Sequence, residues 1–165
     1  MKILVFSDSH SSLRYMRMAM DCVKPDAVIH LGDYVSDGMA VASDYPDVRF
    51  YQVAGNCDLF RAPSDVPETL LETIGGVRVY FTHGHNQRVK QSLQILLLEA
   101  HKCNAQLVLY GHTHIADCRR MEDGMWIMNP GSCGYGDGFV GLVEVDSTGN
   151  ITCTLINHRD LEAAL

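Results

Sequence analysis

The chain has no long apolar run, no excess of positive charge and no closely spaced cysteines, and each absence removes a class of function. Leu93 to Leu98 falls far short of the roughly 20 residues that a membrane span needs. The apolar run from Ile3 to Phe6, behind a single lysine, is too short for a signal peptide. Thirteen Lys and Arg against 20 Asp and Glu leave a net charge of −7. That balance argues against a nucleic-acid backbone as main partner and against an anionic membrane surface, since both want a basic face. Six cysteines (Cys22, Cys57, Cys103, Cys118, Cys133, Cys153) include no Cys-x-x-Cys pair, so neither a zinc knuckle nor a disulfide framework is indicated. Free thiols in a reducing cytosol follow, and the protein is expected to be cytoplasmic. No Gly-rich phosphate loop of the P-loop type and no serine-nucleophile motif is present.

What is there suits one domain. At 165 residues, with 47% hydrophobic and 20% charged residues, the chain can bury a substantial core, and no linker divides residues 1–165. Lys2 to Ser7 reads as a strand, and Leu13, Met16, Met20 and Val23 recur at helical spacing until Pro25 forbids continuation. Ala27 to Leu31 is a second strand, Asp37 to Asp44 a short helix, and Arg49 to Val53 a third strand. Thr69 to Ile74 and Val77 to Thr82 flank Gly75-Gly76, the pattern of a hairpin with a primed turn. Val89, Leu93, Leu96, Ala100 and Cys103 predict the best helix in the chain, and its apolar stripe is core packing with no cofactor role. Leu107 to Tyr110 is a buried strand that breaks at Gly111. Beyond it the pattern changes to strand after strand: Asp117 to Glu122 and Met125 to Asn129 around Asp123-Gly124, a glycine-rich loop from Asn129 to Gly138, then Phe139 to Asp146 and Ile151 to Asn157. A parallel, helix-covered half followed by an antiparallel half predicts an α/β fold of two sheets face to face with helices outside.

The apolar runs end in residues that bind metals. Asp8 and His10 follow the first strand, Asp33 the second, Asn56 the third, His83 the second hairpin strand, and His112 and His114 the strand before Gly111. Ligands of open α/β sheets bind outside the carboxyl ends of the strands, so all seven can converge on one crevice. In an extended segment, His112 and His114 would point the same way and aim at one spot or flank two neighbouring ones. Two carboxylates, four imidazoles and an amide oxygen form a mixed N/O set that suits manganese, iron or zinc. Seven ligands exceed one ion's needs but serve two if a carboxylate bridges, with the ions roughly 3.5 to 4 Å apart. Four positive charges against two carboxylates leave the site cationic in an acidic protein, so it should attract phosphate. Metal-assisted phosphoester hydrolysis is the leading reaction class. His30, inside its strand, is expected to be a core residue, and His101 and His158 are given no role. His85 lies close enough to a ligand to reach substrate. Asp58 is either an acceptor that orients a ligand histidine or a loop cap.

The ordered set Asp8-x-His10, Gly32-Asp33, Gly55-Asn56-Cys57-Asp58, His83-Gly84-His85 and Gly111-His112-Thr113-His114 resembles the calcineurin-like metallophosphoesterase superfamily, most of all its small single-domain phosphodiesterase branch from bacteria and archaea. The resemblance implies a two-sheet αββα sandwich with mixed sheets and flanking helices. It implies that Asp8, His10, Asp33 and His114 hold one metal and Asp33, Asn56, His83 and His112 the other, with Asp33 bridging. Manganese is the expected ion, and iron, nickel and zinc also occur in the family. Asp33, Asn56 and His83 are the expected catalytic residues, with Cys57 and His85 on the substrate side. The expected reaction is in-line attack of a metal-bound hydroxide on a small phosphodiester. Cys57 departs from the pattern: many family phosphatases carry histidine there, and a thiol cannot supply an imidazolium, so diesters are expected over monoesters. The alternatives are a phosphomonoesterase of the same fold and a non-catalytic scaffold like a eukaryotic retromer subunit. A nuclease is disfavoured by the acidic charge. Specificity should lie in the loops at Asp58 to Pro67, after His83 and at Pro130 to Gly138, and the antiparallel half offers edges for a homo-oligomer.

Overall fold

Alternate residues of the first strand enter different cores, and that decides the layering. In β1 (Lys2–Phe6), Ile3 and Val5 pack toward one cluster while Leu4 and Phe6 pack toward another. Both faces are covered, which is why the strand reads as an unbroken apolar run. The computed structural model describes residues 1–136 and 138–164, so Asp137, within the loop expected to govern specificity, and Leu165 lie outside the described residues.

Strands β2 (Ala27–His30) and β3 (Arg49–Gln52) add to β1 in parallel. The connecting helices α1 (Arg14–Val23) and α2 (Val35–Asp44) cover the outer face of this sheet, where Met16, Met20 and Val41 pack on Leu4, Phe6 and Val28. The chain then builds a second sheet from the hairpin β4 (Thr69–Ile74) and β5 (Val77–Thr82). Helix α3 (Gln94–Lys102) leads to β6 (Leu107–Leu109), parallel to β5. The hairpin β7 (Asp117–Arg120) and β8 (Trp126–Asn129) completes it, β8 lying parallel to β6. Finally β9 (Phe139–Val145) and β10 (Ile151–Asn157) return to the first sheet, β9 antiparallel to β1, before helix α4 (His158–Ala163).

The strand orders are β10-β9-β1-β2-β3 and β4-β5-β6-β8-β7. Val5, Ile29 and Val143 of one sheet meet Phe81, Leu109 and Met128 of the other in a central core. Leu96 and Ala100 of α3 close the outer face of the second sheet against Tyr80, Val108 and Ile127. The fold is the expected αββα sandwich of two mixed sheets. No helix among the described residues is long and apolar enough to cross a membrane.

Three local expectations change. The antiparallel half is not one layer, because β7 and β8 join the second sheet and β9 and β10 the first. The helix expected from Val89 begins at Gln94, because residues 89–91 form a turn instead. Val89 is buried in the same cluster all the same. Helix α2 starts at Val35 rather than Asp37, and α4 had no sequence expectation.

Candidate metal centre

Because β1, β2 and β3 run parallel to one another, as do β5 and β6, the carboxyl end of each strand reaches the same edge of its sheet. Asp8, His10, Asp33 and His114 each offer one donor atom, and these atoms lie within 4.8 Å of one another. Beside them His83 Nε2 lies 3.2 Å from Asn56 Oδ1 and 3.4 Å from Asp33 Oδ1. The His112 ring centre is 5.0 Å from that of His83. The first four therefore form one group of donors, and Asn56, His83 and His112 lie beside it, with His83 adjoining both Asp33 and, at 4.0 Å, Asp8 Oδ1.

The backbone is bent to achieve this. Asp8, His10, Asp33, His112 and His114 all take left-handed φ values, between 45° and 67°. Such positions are uncommon for residues with a side chain and persist only where the surroundings hold them. His112 and His114 are thus not in an extended segment, and they turn to different groups, His114 Nε2 to 3.0 Å from Asp8 Oδ1 and His112 toward His83. Asp8 Oδ2 accepts from the Ser7 hydroxyl at 2.5 Å and from His112 N–H at 3.1 Å. Asn129 Nδ2 donates to Gly111 O and to Thr113 Oγ1, fixing the turn between the two histidines. Gly111 and Gly55 are needed for close approach: a Cβ on the first would run into the Ser7 hydroxyl, and on the second into the Asp33 carboxylate. His83 Nδ1–H donates to Leu31 O at 2.8 Å, so its Nε2 lone pair faces the crevice, the arrangement that orients metal-ligating histidines.

A buried polar layer lies behind these residues. Ser9 Oγ donates to Asp37 Oδ2 at 2.7 Å and sits 3.3 Å from His30 Nε2. His30 is fully buried, as expected of a core residue, and burial holds its imidazole below the ordinary value. Asp58 accepts from Tyr34 N–H, Val35 N–H and Gly55 N–H, so it is a loop cap and orients no histidine. Burial alone would raise the Asp33 carboxyl, but His83 and the Cys57 N–H hold it below the usual carboxylate range. Burial, then repulsion from His83, brings His112 down to about 4.

Among the described residues Asp8 Oδ1 and His10 Nε2 are buried without a hydrogen bond, and Asp8 Oδ1 faces only the ring nitrogens of His114 and His83, at 3.0 and 4.0 Å. An unpaired buried carboxylate oxygen is costly and calls for a counter-charge. Convergent carboxylate and imidazole donors fit a divalent cation.

The sequence from residue 1 to 148 matches the family described as the calcineurin-like phosphoesterase superfamily domain. The chain belongs to that superfamily. A probable metallophosphoesterase of Bacillus subtilis, YsnB, is 31% identical over 135 residues, covering 80% of this chain and 75% of that one. Phosphodiesterase MJ0936 of Methanocaldococcus jannaschii is 28% identical over 166 residues, covering 88% and 94%. Among solved structures, a predicted phosphoesterase of Streptococcus pneumoniae superimposes with a TM-score of 0.75 at 25% identity, over 96% of this chain and 90% of that one.

Around the donors of this calcineurin-like domain stand residues of several kinds. Cys57 is half-buried; its N–H reaches Asp33, and burial together with Asp33 pushes its thiol up to about 11. The His85 ring centre is 5.5 Å from His83, and its Nε2 is 4.0 Å from Glu68. Sequence reasoning missed Ser9, Asp37, Tyr34 and Tyr135. Nothing local distinguishes them, because their partners lie far along the chain. Asn129 and Ser132 belonged to a recognisable Asn-Pro-Gly-Ser loop, but no role could be read from it. A cavity of 510 Å³ bordered by His101, Arg120 and Trp126 contains none of the candidate donors, whereas His114 lines another of 340 Å³.

Proposed function

We propose that this chain is a dinuclear, metal-dependent phosphodiesterase acting on small substrates in the cytoplasm. The observation that supports the reading is that Asp33 belongs to the group with Asp8, His10 and His114 and also lies 3.4 Å from His83 Nε2. Asp8, His10, Asp33 and His114 would hold one divalent cation, and Asp33, Asn56, His83 and His112 the other, with manganese favoured over iron, nickel or zinc. Such a pair, when bound, supplies Lewis acidity toward phosphoryl oxygens and toward the attacking water. The chain's own contribution is placement: Leu31 O fixes the His83 tautomer, Cys57 N–H fixes Asp33, and Ser7 with His112 N–H fixes Asp8.

Cys57, beside Asp33, offers no imidazolium to protonate a poor leaving group, which favours diesters with good leaving groups over monoesters. The name of the M. jannaschii relative supports the same preference. A net charge of −7 favours a small diester over nucleic acid. The scaffold reading is disfavoured because every donor position is filled. The test strips the protein with chelator, restores manganese, iron, nickel and zinc one at a time, and assays matched aryl diesters and monoesters. Two manganese ions per chain and faster diester cleavage are expected. Faster monoester cleavage overturns the preference, and two tightly held ions without turnover overturn the enzyme reading in favour of a scaffold.

A further inference from the structure

Tyr135 stands beside the first donor group with its side chain 60% exposed. Its ring centre is 4.8 Å from that of His10, and its plane lies within 18° of the His114 ring at 6.2 Å. These are ordinary separations for interacting rings. The loop that carries it is pinned to the turn that carries Asp8 and His10. Ser132 Oγ donates to Asp8 O at 2.7 Å and accepts from Gly134 N–H and Tyr135 N–H, both at 3.1 Å. Cys133 N–H donates to Ser7 O at 3.0 Å. Gly134 passes so close to the Ser9 carbonyl that any side chain there would collide with it. The aromatic ring is therefore held at the donors by the same contacts that hold the donors.

Next to the ring opens the 340 Å³ cavity, bordered by His114, Ala116, Tyr135 and Phe139 among others. This is the lower end of the range for ligand pockets, about 300–1,000 Å³. None of its described lining residues is Lys, Arg, Asp or Glu. Among the described lining residues there is no cation for a second phosphate and no anion for an amine. A neutral, flat group suits it, entering from the phosphoryl position at the donors.

We propose that Tyr135 and this cavity form the subsite for the organic part of the ester, a planar aromatic or heteroaromatic ring that stacks on Tyr135. The inference rests on the phosphoesterase reading and adds a substrate class to it. It is tested by calorimetric binding of methylphosphonate, phenylphosphonate and a nucleoside 5′-phosphonate to manganese-loaded protein. Wild type should bind phenylphosphonate roughly ten-fold more tightly than methylphosphonate, the scale of one aromatic stacking contact. Tyr135→Ala should narrow that ratio to about two-fold, through phenylphosphonate alone, while Tyr135→Phe keeps it. Manganese content per chain should stay at the wild-type value in both variants. Tighter binding of the nucleoside compound would make the ring a nucleobase, and weaker binding a simple aryl group; either supports stacking. Equal affinity of wild type for the methyl and phenyl compounds overturns the subsite while leaving the phosphoesterase reading intact, as does equal weakening of both in Tyr135→Ala. Failure of all three compounds to bind overturns both.

Discussion

Asp8 carries the sharpest conflict between stability and chemistry in the molecule. Its Oδ1 is buried and makes no hydrogen bond, facing only the ring nitrogens of His114 at 3.0 Å and His83 at 4.0 Å, while Oδ2 is held by Ser7 and His112. An amide there removes a buried charge but also an anionic donor. Asp8→Asn should therefore bind manganese about 100-fold more weakly, yet its metal-free form at pH 8 should be more stable than wild type by about 1–2 kcal/mol. Titration calorimetry and chelated thermal melts check the two halves, and a less stable metal-free variant would show that the carboxylate is satisfied without a cation. Cys57 is the second informative position. Cys57→His places an imidazole where the thiol now sits, so the ratio of monoester to diester turnover should rise about 100-fold, the low end of general-acid effects. An unchanged ratio would remove leaving-group protonation from this position. Asp8 was legible in the sequence because it closes the first apolar run, and Cys57 because it departs from the pattern that the resemblance implies. Tyr135 was not, because its relation to His10 spans most of the chain.

Among the elements, α4 and α2 show what local pattern conceals. Helix α4 is short and its apolar content slight, yet His158 is buried and stacked on Tyr15 of α1, ring centres 3.5 Å apart. Burial brings the His158 imidazole down to about 4. The unfolded chain takes up a proton near pH 6.5, and the folded chain does so only near 4, so stability is full above about 6.5 and is lost as pH falls toward 4. This loss should be on the order of 1 kcal/mol, read as the difference between the pH-dependent melting curves of wild type and His158→Phe, which keeps the stack and cannot titrate. Identical slopes would show that His158 titrates normally in the folded protein. Helix α2 begins where it does because the Asp58 carboxylate, 23 and 24 residues away, takes the N–H groups of Val35 and Tyr34. A cap supplied from another strand's loop leaves no mark in the helix's own sequence.

For the whole molecule, binding of cations to the folded state alone couples metal supply to stability. A site at about a thousand-fold excess over its Kd contributes about 4 kcal/mol, so chelation should lower Tm by on the order of 10 °C. A Tm indifferent to chelator and to added manganese would mean that the donors hold no cation. The strands and the sandwich were readable from the chain because burial on both faces makes apolar runs, and the candidate donors stood out because they follow such runs. Sheet membership was not readable: β9 returns past the second sheet to pair with β1, with β10 on its far side, a choice made by complementary surfaces rather than by local pattern. The sequence by itself determined the kind of chemistry, since carboxylates, imidazoles and an amide at strand ends admit few other uses. Only the tertiary structure decided that Asp8, His10, Asp33 and His114 come together with His83 beside Asp33, which backbones bend to left-handed φ, and which aromatic ring stands beside them. Those outcomes depend on contacts between residues up to 124 positions apart, such as Ser132 on Asp8, and no short-range propensity encodes them.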